Sequence, residues 1–125
     1  MCSHSGIVVE AAVAVSWLGE FVHNVADMPD LALLSPENVI PALIAAGLFL
    51  SCWLLPSRRA PPVLLLVWGA LNLVGGEMTV IPFGFLPFYP EQTLKHYLFH
   101  VLYAAAQLPP IYVATPGPRL RASPR

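Results

Sequence analysis

The stretch that decides the fold is ENVIPALIAAGLFLSCWLL, residues 37–55, in which the only charged residue is Glu37 at the start. A helix needs about 20 apolar residues to cross the hydrocarbon core of a bilayer, so this run predicts a transmembrane helix. Ser35 and Pro36 come directly before it, as a helix-capping residue and a favoured first helical residue. The run therefore indicates an integral membrane protein.

The composition of the whole chain supports the same class of protein. Of its 125 residues, 57% are hydrophobic and only 10% are charged, whereas soluble domains usually contain about 25% charged residues. A soluble domain of this size would need more polar residues to cover its surface, and a disordered chain would contain fewer apolar ones. The net charge of −1, with its basic residues scattered along the chain, gives no surface suited to nucleic acid.

Three further apolar runs have a similar length. The predicted spans are residues 7–25, 37–55, 62–81 and 92–113. Together they predict an all-α fold, a four-helix transmembrane bundle that forms a single domain over residues 1–115. Residues 116–125, rich in Pro, Arg and Ser, predict a disordered basic tail. In the fourth span, Pro109 and Pro110 each remove a backbone hydrogen bond, which predicts a kink or an early end to the helix.

The distribution of Lys and Arg predicts the orientation in the membrane. Arg58 and Arg59 lie between the second and third spans and three arginines lie in the tail, whereas Lys95 is the only basic residue on the opposite side. Both termini are therefore expected in the cytoplasm. We expect a multi-pass protein of a bacterial plasma membrane, surrounded by lipid, as a homo-oligomer or as part of a larger membrane complex.

Polar residues at the end of the first span are the first candidates for function. Glu20, His23, Asn24 and Asp27 lie at positions i, i+3, i+4 and i+7, which places them on one face of a helix. An ionisable residue within a membrane costs about 2.5–3.5 kcal/mol on insertion scales, so a helix that keeps several is expected to use them.

The third and fourth spans carry polar residues at the same predicted depth. His96, His100 and Tyr103 lie at i, i+4 and i+7 on one face of the fourth span, and Glu77 is the only charged residue of the third. Because the first and third spans run outward and the fourth runs inward, all of these positions fall near the outer surface. We expect them to meet in one pocket between the first, third and fourth helices.

This combination of side chains predicts a site for a divalent transition metal or a cofactor. The candidate ligands are Glu20, His23, Glu77, His96 and His100. The candidate residues that orient them are Asn24, Asp27 and Tyr103. Imidazole nitrogens and carboxylate oxygens suit Zn, Fe, Mn or Cu, and a haem held between histidines of facing helices is a further alternative.

Two other interpretations of the polar residues stay open at this point. The acids and imidazoles could form a proton or substrate pathway without a metal. They could also form a buried network that fixes helix packing, in a small accessory or assembly subunit of a larger membrane complex. No residue pattern selects a substrate, so the sequence assigns no enzymatic reaction.

Overall fold

The computed structural model describes residues 4–28, 30–54, 60–85 and 89–115, with side chains from residue 6 onward. These ranges contain four α-helices and no β-strand. The helices are α1 (His4–Asp27), α2 (Pro36–Leu54), α3 (Ala60–Met78) and α4 (Leu94–Ala114). The predicted all-α, four-helix architecture is confirmed. The first and last residue of every helix lie within three residues of the predicted ones. The predicted tail and the Arg58–Arg59 connection lie outside the described residues, and the orientation of the termini stays a prediction.

Three of the four helices are long and apolar enough to cross a membrane: Gly6–Asp27, Pro36–Leu54 and Ala60–Met78. α4 has 21 residues, which is long enough to span the hydrocarbon core, but its mean hydropathy is reduced by polar side chains. The bundle buries several of those side chains, among them His100 and Gln107. Apart from Lys95 in the first turn, the exposed residues of α4 are apolar or tyrosine, so most of its outer surface still suits lipid.

The centre of the bundle is the pair formed by α1 and α4. These two helices pack most extensively, α3 packs on α4, and α2 lies mainly on α1. α2 and α3 meet at the apolar core, where Ala45 and Leu48 pack with Leu65 and Trp68 and with Val13 of α1. This core lies toward the end of the bundle where α2 ends and α3 begins.

Small residues allow the close approach of the helices around α4. A Cβ atom on Gly19 of α1 would overlap Ala106, and one on Gly76 of α3 would overlap the ring of Tyr103. Without a strong hydrophobic force between helices in lipid, such close backbone contact supplies much of the packing energy. These glycines are therefore structural.

α4 continues through Pro109 and Pro110 to Ala114, so the predicted early end of this helix is wrong. Pro110 is fully buried and lies against Gly69 of α3, where its Cγ would be 3.3 Å from an added Cβ. Packing against α3 supports this part of α4 although the two prolines remove backbone donors. The helix begins at Leu94, later than the sequence indicates.

A buried polar network crosses the middle of the bundle. Trp68 Nε1 donates to Ser16 Oγ at 2.8 Å, and Ser16 Oγ donates to Gln107 Oε1 at 2.5 Å. Gln107 Nε2 in turn donates to the backbone carbonyls of Ser16 and Tyr103, at 3.3 and 3.4 Å. Ser16 and Gln107 have no exposed surface. The network joins α1, α3 and α4 between the apolar core and the polar end of the bundle.

Candidate metal centre

A cavity of about 720 Å³ lies at the end of the bundle where α1 and α3 end and α2 and α4 begin. Its titratable lining residues come mostly from α1 and α4. They are Glu20, His23, Asp27, Glu37, Glu91, His96, His100 and Tyr103. The structure thus places the polar faces of the first and fourth helices, recognised from their spacing, around one cavity.

Three side chains of this cavity have the spacing of a metal-binding group. His23 Nε2 is 3.2 Å from His100 Nε2 and 3.9 Å from Asp27 Oδ2, and one potential ligand atom from each residue lies within 4.8 Å of the others. Ligand atoms around a tetrahedral ion with bonds of about 2.0–2.1 Å lie about 3–3.5 Å apart. Small side-chain shifts would therefore bring all three onto one ion.

His96 lies directly behind this group. Its Nδ1 is hydrogen-bonded to Asp27 Oδ2, and its ring centroid is 4.4 Å from that of His100. The sequence predicts His96 as a ligand and Asp27 as an orienting residue. In the structure the Asp27 carboxylate lies within the three-residue group, and the His96 imidazole holds that carboxylate in place.

A chain of side-chain amides connects the group to α2. Asn24 Nδ2 donates to Asn38 Oδ1 at 3.1 Å and to the Glu37 carbonyl at 3.3 Å. Asn38 Nδ2 donates to the Ala32 carbonyl at 3.2 Å. Backbone carbonyls can only accept, so they determine which atom of each amide is the nitrogen. The side-chain oxygen of Asn24 consequently faces His23.

This arrangement sets the tautomer of His23. Asn24 Oδ1 lies 3.1 Å from His23 Nδ1 and can only accept, so Nδ1 carries the hydrogen. In the neutral ring the lone pair is then on Nε2, the atom that faces His100 and Asp27. Metal-bound histidines are commonly oriented in this way by a hydrogen bond from their other nitrogen.

Asn38 is a functional candidate that the sequence analysis missed. It is buried, with 5% of its surface exposed, on the first turns of α2. The sequence did contain a signal for Asn38, since an amide side chain is unusual inside an otherwise apolar span. The pairing with Asn24, however, depends on how α2 is rotated against α1.

The two predicted glutamate ligands lie in different surroundings. Glu20 lines the cavity, whereas Glu77 is half-buried and is not among the described lining residues. Glu77 is still near enough to His23 for an electrostatic interaction. Each carboxylate has one buried oxygen without a hydrogen-bond partner among the described residues. Neither belongs to the three-residue group.

Tyr103 lies beside the group and also contacts α3. Its ring centroid is 5.5 Å from that of His23, and its hydroxyl donates to Asn72 Oδ1 at 2.6 Å. Asn72 Nδ2 donates to the Trp68 carbonyl at 2.9 Å. Tyr103 therefore supports the His23 ring by packing, while its hydrogen bond joins α4 to α3.

Comparisons with protein-family models, curated proteins and solved structures give no match to this chain. Its function is therefore inferred from the chemistry of the cavity.

Proposed function

We propose that the protein is a multi-pass membrane protein that binds a divalent transition metal ion through His23, Asp27 and His100. The observation that supports this most directly is the position of His23 Nε2, 3.2 Å from His100 Nε2 and 3.9 Å from Asp27 Oδ2. Two imidazoles and a carboxylate suit Zn or Fe(II) and also accept Mn or Cu. Three protein ligands would leave a position on the ion for water or another ligand.

An unpartnered carboxylate oxygen in the group favours a bound cation over a packing network. Asp27 Oδ1 is buried and has no hydrogen-bond partner among the described residues. Buried polar groups that only fix packing are normally satisfied, because an unmade hydrogen bond is costly there. A cation beside Asp27 would also compensate the buried negative charge.

The same distances argue against a haem between His23 and His100. A haem held by both residues would need room for a planar macrocycle between their imidazole rings. The ring centroids of His23 and His100 are 4.5 Å apart, and the rings meet edge to face at 72°. This spacing favours a single small ion.

A second candidate function is that of an accessory subunit in which the cluster only stabilises the bundle. The observation in its favour is that the His96–Asp27 and Asn24–Asn38 hydrogen bonds join α4 and α2 to α1. In that case the side chains would matter for folding, and purified protein would bind no metal.

Metal titration of the full chain in detergent or nanodiscs separates the two candidates. After treatment with a chelator, we expect the protein to take up one Zn²⁺ or Fe²⁺ per chain, measured by calorimetry and elemental analysis. His100→Ala should weaken binding about 100-fold or more, because it removes a ligand. Gln92→Ala is the control, since Gln92 is exposed and lies outside the cavity lining.

The proposal fails if the wild-type chain takes up no ion. It also fails if His100→Ala and Gln92→Ala bind with the same affinity. A loss of thermal stability in His100→Ala without any metal binding by the wild type would support the accessory-subunit function instead.

A further inference from the structure

We infer that the cavity binds a neutral, lipid-soluble molecule with an oxygen-bearing head group, in addition to the proposed metal. The first reason is its volume of about 720 Å³. A water molecule accounts for about 30 Å³, so an ion with its remaining waters would use a small part of this space. Cavities of about 300–1,000 Å³ are typical of sites for organic ligands.

The walls of the cavity differ in chemistry. One wall comes from α2, α3 and the residue that follows α3. Apart from Glu37, it consists of small, apolar or weakly polar residues: Pro36, Ile40, Pro41, Gly75, Gly76 and Thr79. The opposite wall is the polar face of α1 and α4. A molecule with an apolar body and a polar head matches both walls at once.

The polar wall offers hydrogen-bonding atoms that the protein itself does not use. Besides Asp27 Oδ1, three buried atoms on cavity-lining residues have no partner among the described residues: Glu20 Oε2, His96 Nε2 and His100 Nδ1. A hydroxyl or carbonyl head group could pair with them. The three atoms nearest one another in the metal group, His23 Nε2, His100 Nε2 and Asp27 Oδ2, would stay available for the ion.

The charges in the cavity argue that the head group is not anionic. Glu20, Asp27, Glu37 and Glu91 contribute carboxyl groups, and the described lining residues include no Lys or Arg. In the metal-free protein, a fatty-acid carboxylate would be repelled by this field. An alcohol or ketone of the same chain length would not be.

The position of the cavity indicates entry from the lipid. α2 and α3 meet at the apolar core through Ala45 and Leu48 on one side and Leu65 and Trp68 on the other. At the start of α2 and the end of α3, both helices line the cavity instead. Ile40 lies at this boundary and is 55% exposed. The space between α2 and α3 is therefore the route by which a molecule dissolved in the bilayer would enter.

Gly75 offers a way to fill the cavity without disturbing the bundle. A Cβ at Gly75 would meet nothing within 4 Å, although this residue lines the cavity. Gly47 of α2 is a matched control, because a Cβ there also meets nothing within 4 Å and Gly47 is not among the described lining residues. Gly76 is unsuitable, since a Cβ would overlap Tyr103.

The test uses photolabelling of the full chain in lipid nanodiscs. The probe is a long-chain fatty alcohol that carries a diazirine on its chain, and the labelled residues are located by mass spectrometry. We expect labelling at residues 36–41 and 75–79 that an excess of unlabelled alcohol suppresses. Gly75→Leu should reduce this labelling about tenfold, because it fills the cavity, and Gly47→Leu should leave it unchanged. In protein treated with a chelator, the corresponding fatty acid should label these residues much less.

Three results would overturn the inference: equal labelling in the Gly75→Leu and Gly47→Leu variants, no suppression by unlabelled alcohol, or equal labelling of the metal-free protein by the acid and the alcohol. Zn²⁺ binding, measured on the same samples, keeps this inference separate from the proposed metal site. Metal uptake without labelling sensitive to Gly75→Leu refutes the ligand alone. Labelling sensitive to Gly75→Leu in a chain that binds no metal refutes the metal site alone.

Discussion

Replacing Asn38 by Leu tests the chain of amides that sets the His23 tautomer. Asn38 Oδ1 accepts from Asn24 Nδ2 at 3.1 Å, and Asn38 Nδ2 donates to the Ala32 carbonyl at 3.2 Å. Leu has a similar volume but neither bond. The Asn24 amide would keep only its 3.3 Å bond to the Glu37 carbonyl, so its oxygen would hold the hydrogen on His23 Nδ1 less firmly. The lone pair on His23 Nε2 that binds the ion would then be available in a smaller fraction of the molecules.

The expected magnitudes differ for metal affinity and for stability. Loss of a residue that orients a metal-bound histidine costs about 10–100-fold in affinity, or about 1.4–2.7 kcal/mol. Side-chain hydrogen bonds between membrane helices contribute about 0.6 kcal/mol each on average, so losing two costs about 1 kcal/mol, partly offset by the added apolar contacts. Asn38→Leu should therefore weaken Zn²⁺ binding much more than it destabilises the metal-free fold.

Competition with a chelating dye measures the affinity, and ¹⁵N NMR of the imidazoles reports the tautomer of His23. Ser51→Ala is the control, because Ser51 is a buried polar residue of α2 whose hydroxyl donates to the Leu48 carbonyl at 2.6 Å, toward the other end of that helix. Wild-type protein with the hydrogen on Nε2 of His23 would refute the reasoning. So would equal Zn²⁺ affinities in Asn38→Leu and Ser51→Ala.

Three further predictions concern the group, the packing and the orientation. Asp27→Asn removes a charged ligand and should lower Zn²⁺ affinity about 100-fold in calorimetry. An affinity equal to that of wild type would contradict the assignment of Asp27 as a metal ligand. Gly76→Ala forces the added methyl against the Tyr103 ring and should destabilise the bundle by about 1–3 kcal/mol, seen as a lower thermal midpoint; an unchanged midpoint contradicts the packing. Glu91→Cys should react with a membrane-impermeant maleimide in intact cells, whereas Ser57→Cys should react only after lysis; the reverse pattern contradicts the orientation.

The helices could be predicted from the sequence because their lengths follow from the thickness of a bilayer. Apolar runs near 20 residues left little freedom in where each helix lies. The start of α4 was predicted two residues too early, at residue 92. The side chain of Thr93 accepts from the His96 backbone amide at 3.3 Å, and this cap places the first helical residue at Leu94.

Part of the candidate site was also visible in the sequence. The spacing of His23 and Asp27, and that of His96 and His100, put each pair on one helical face, whatever the rotation of the helix. The sequence could not show which face of α2 or α3 turns toward α1. For that reason Asn38 was missed, and Glu77 was expected in a group to which it does not belong.

The hydrogen-bonded layer of Ser16, Trp68 and Gln107 lies between the polar end of the bundle, which holds the cavity, and the tightly packed apolar core. Passage of a polar solute from the cavity through the rest of the bundle would therefore require these hydrogen bonds to break and the apolar core to open.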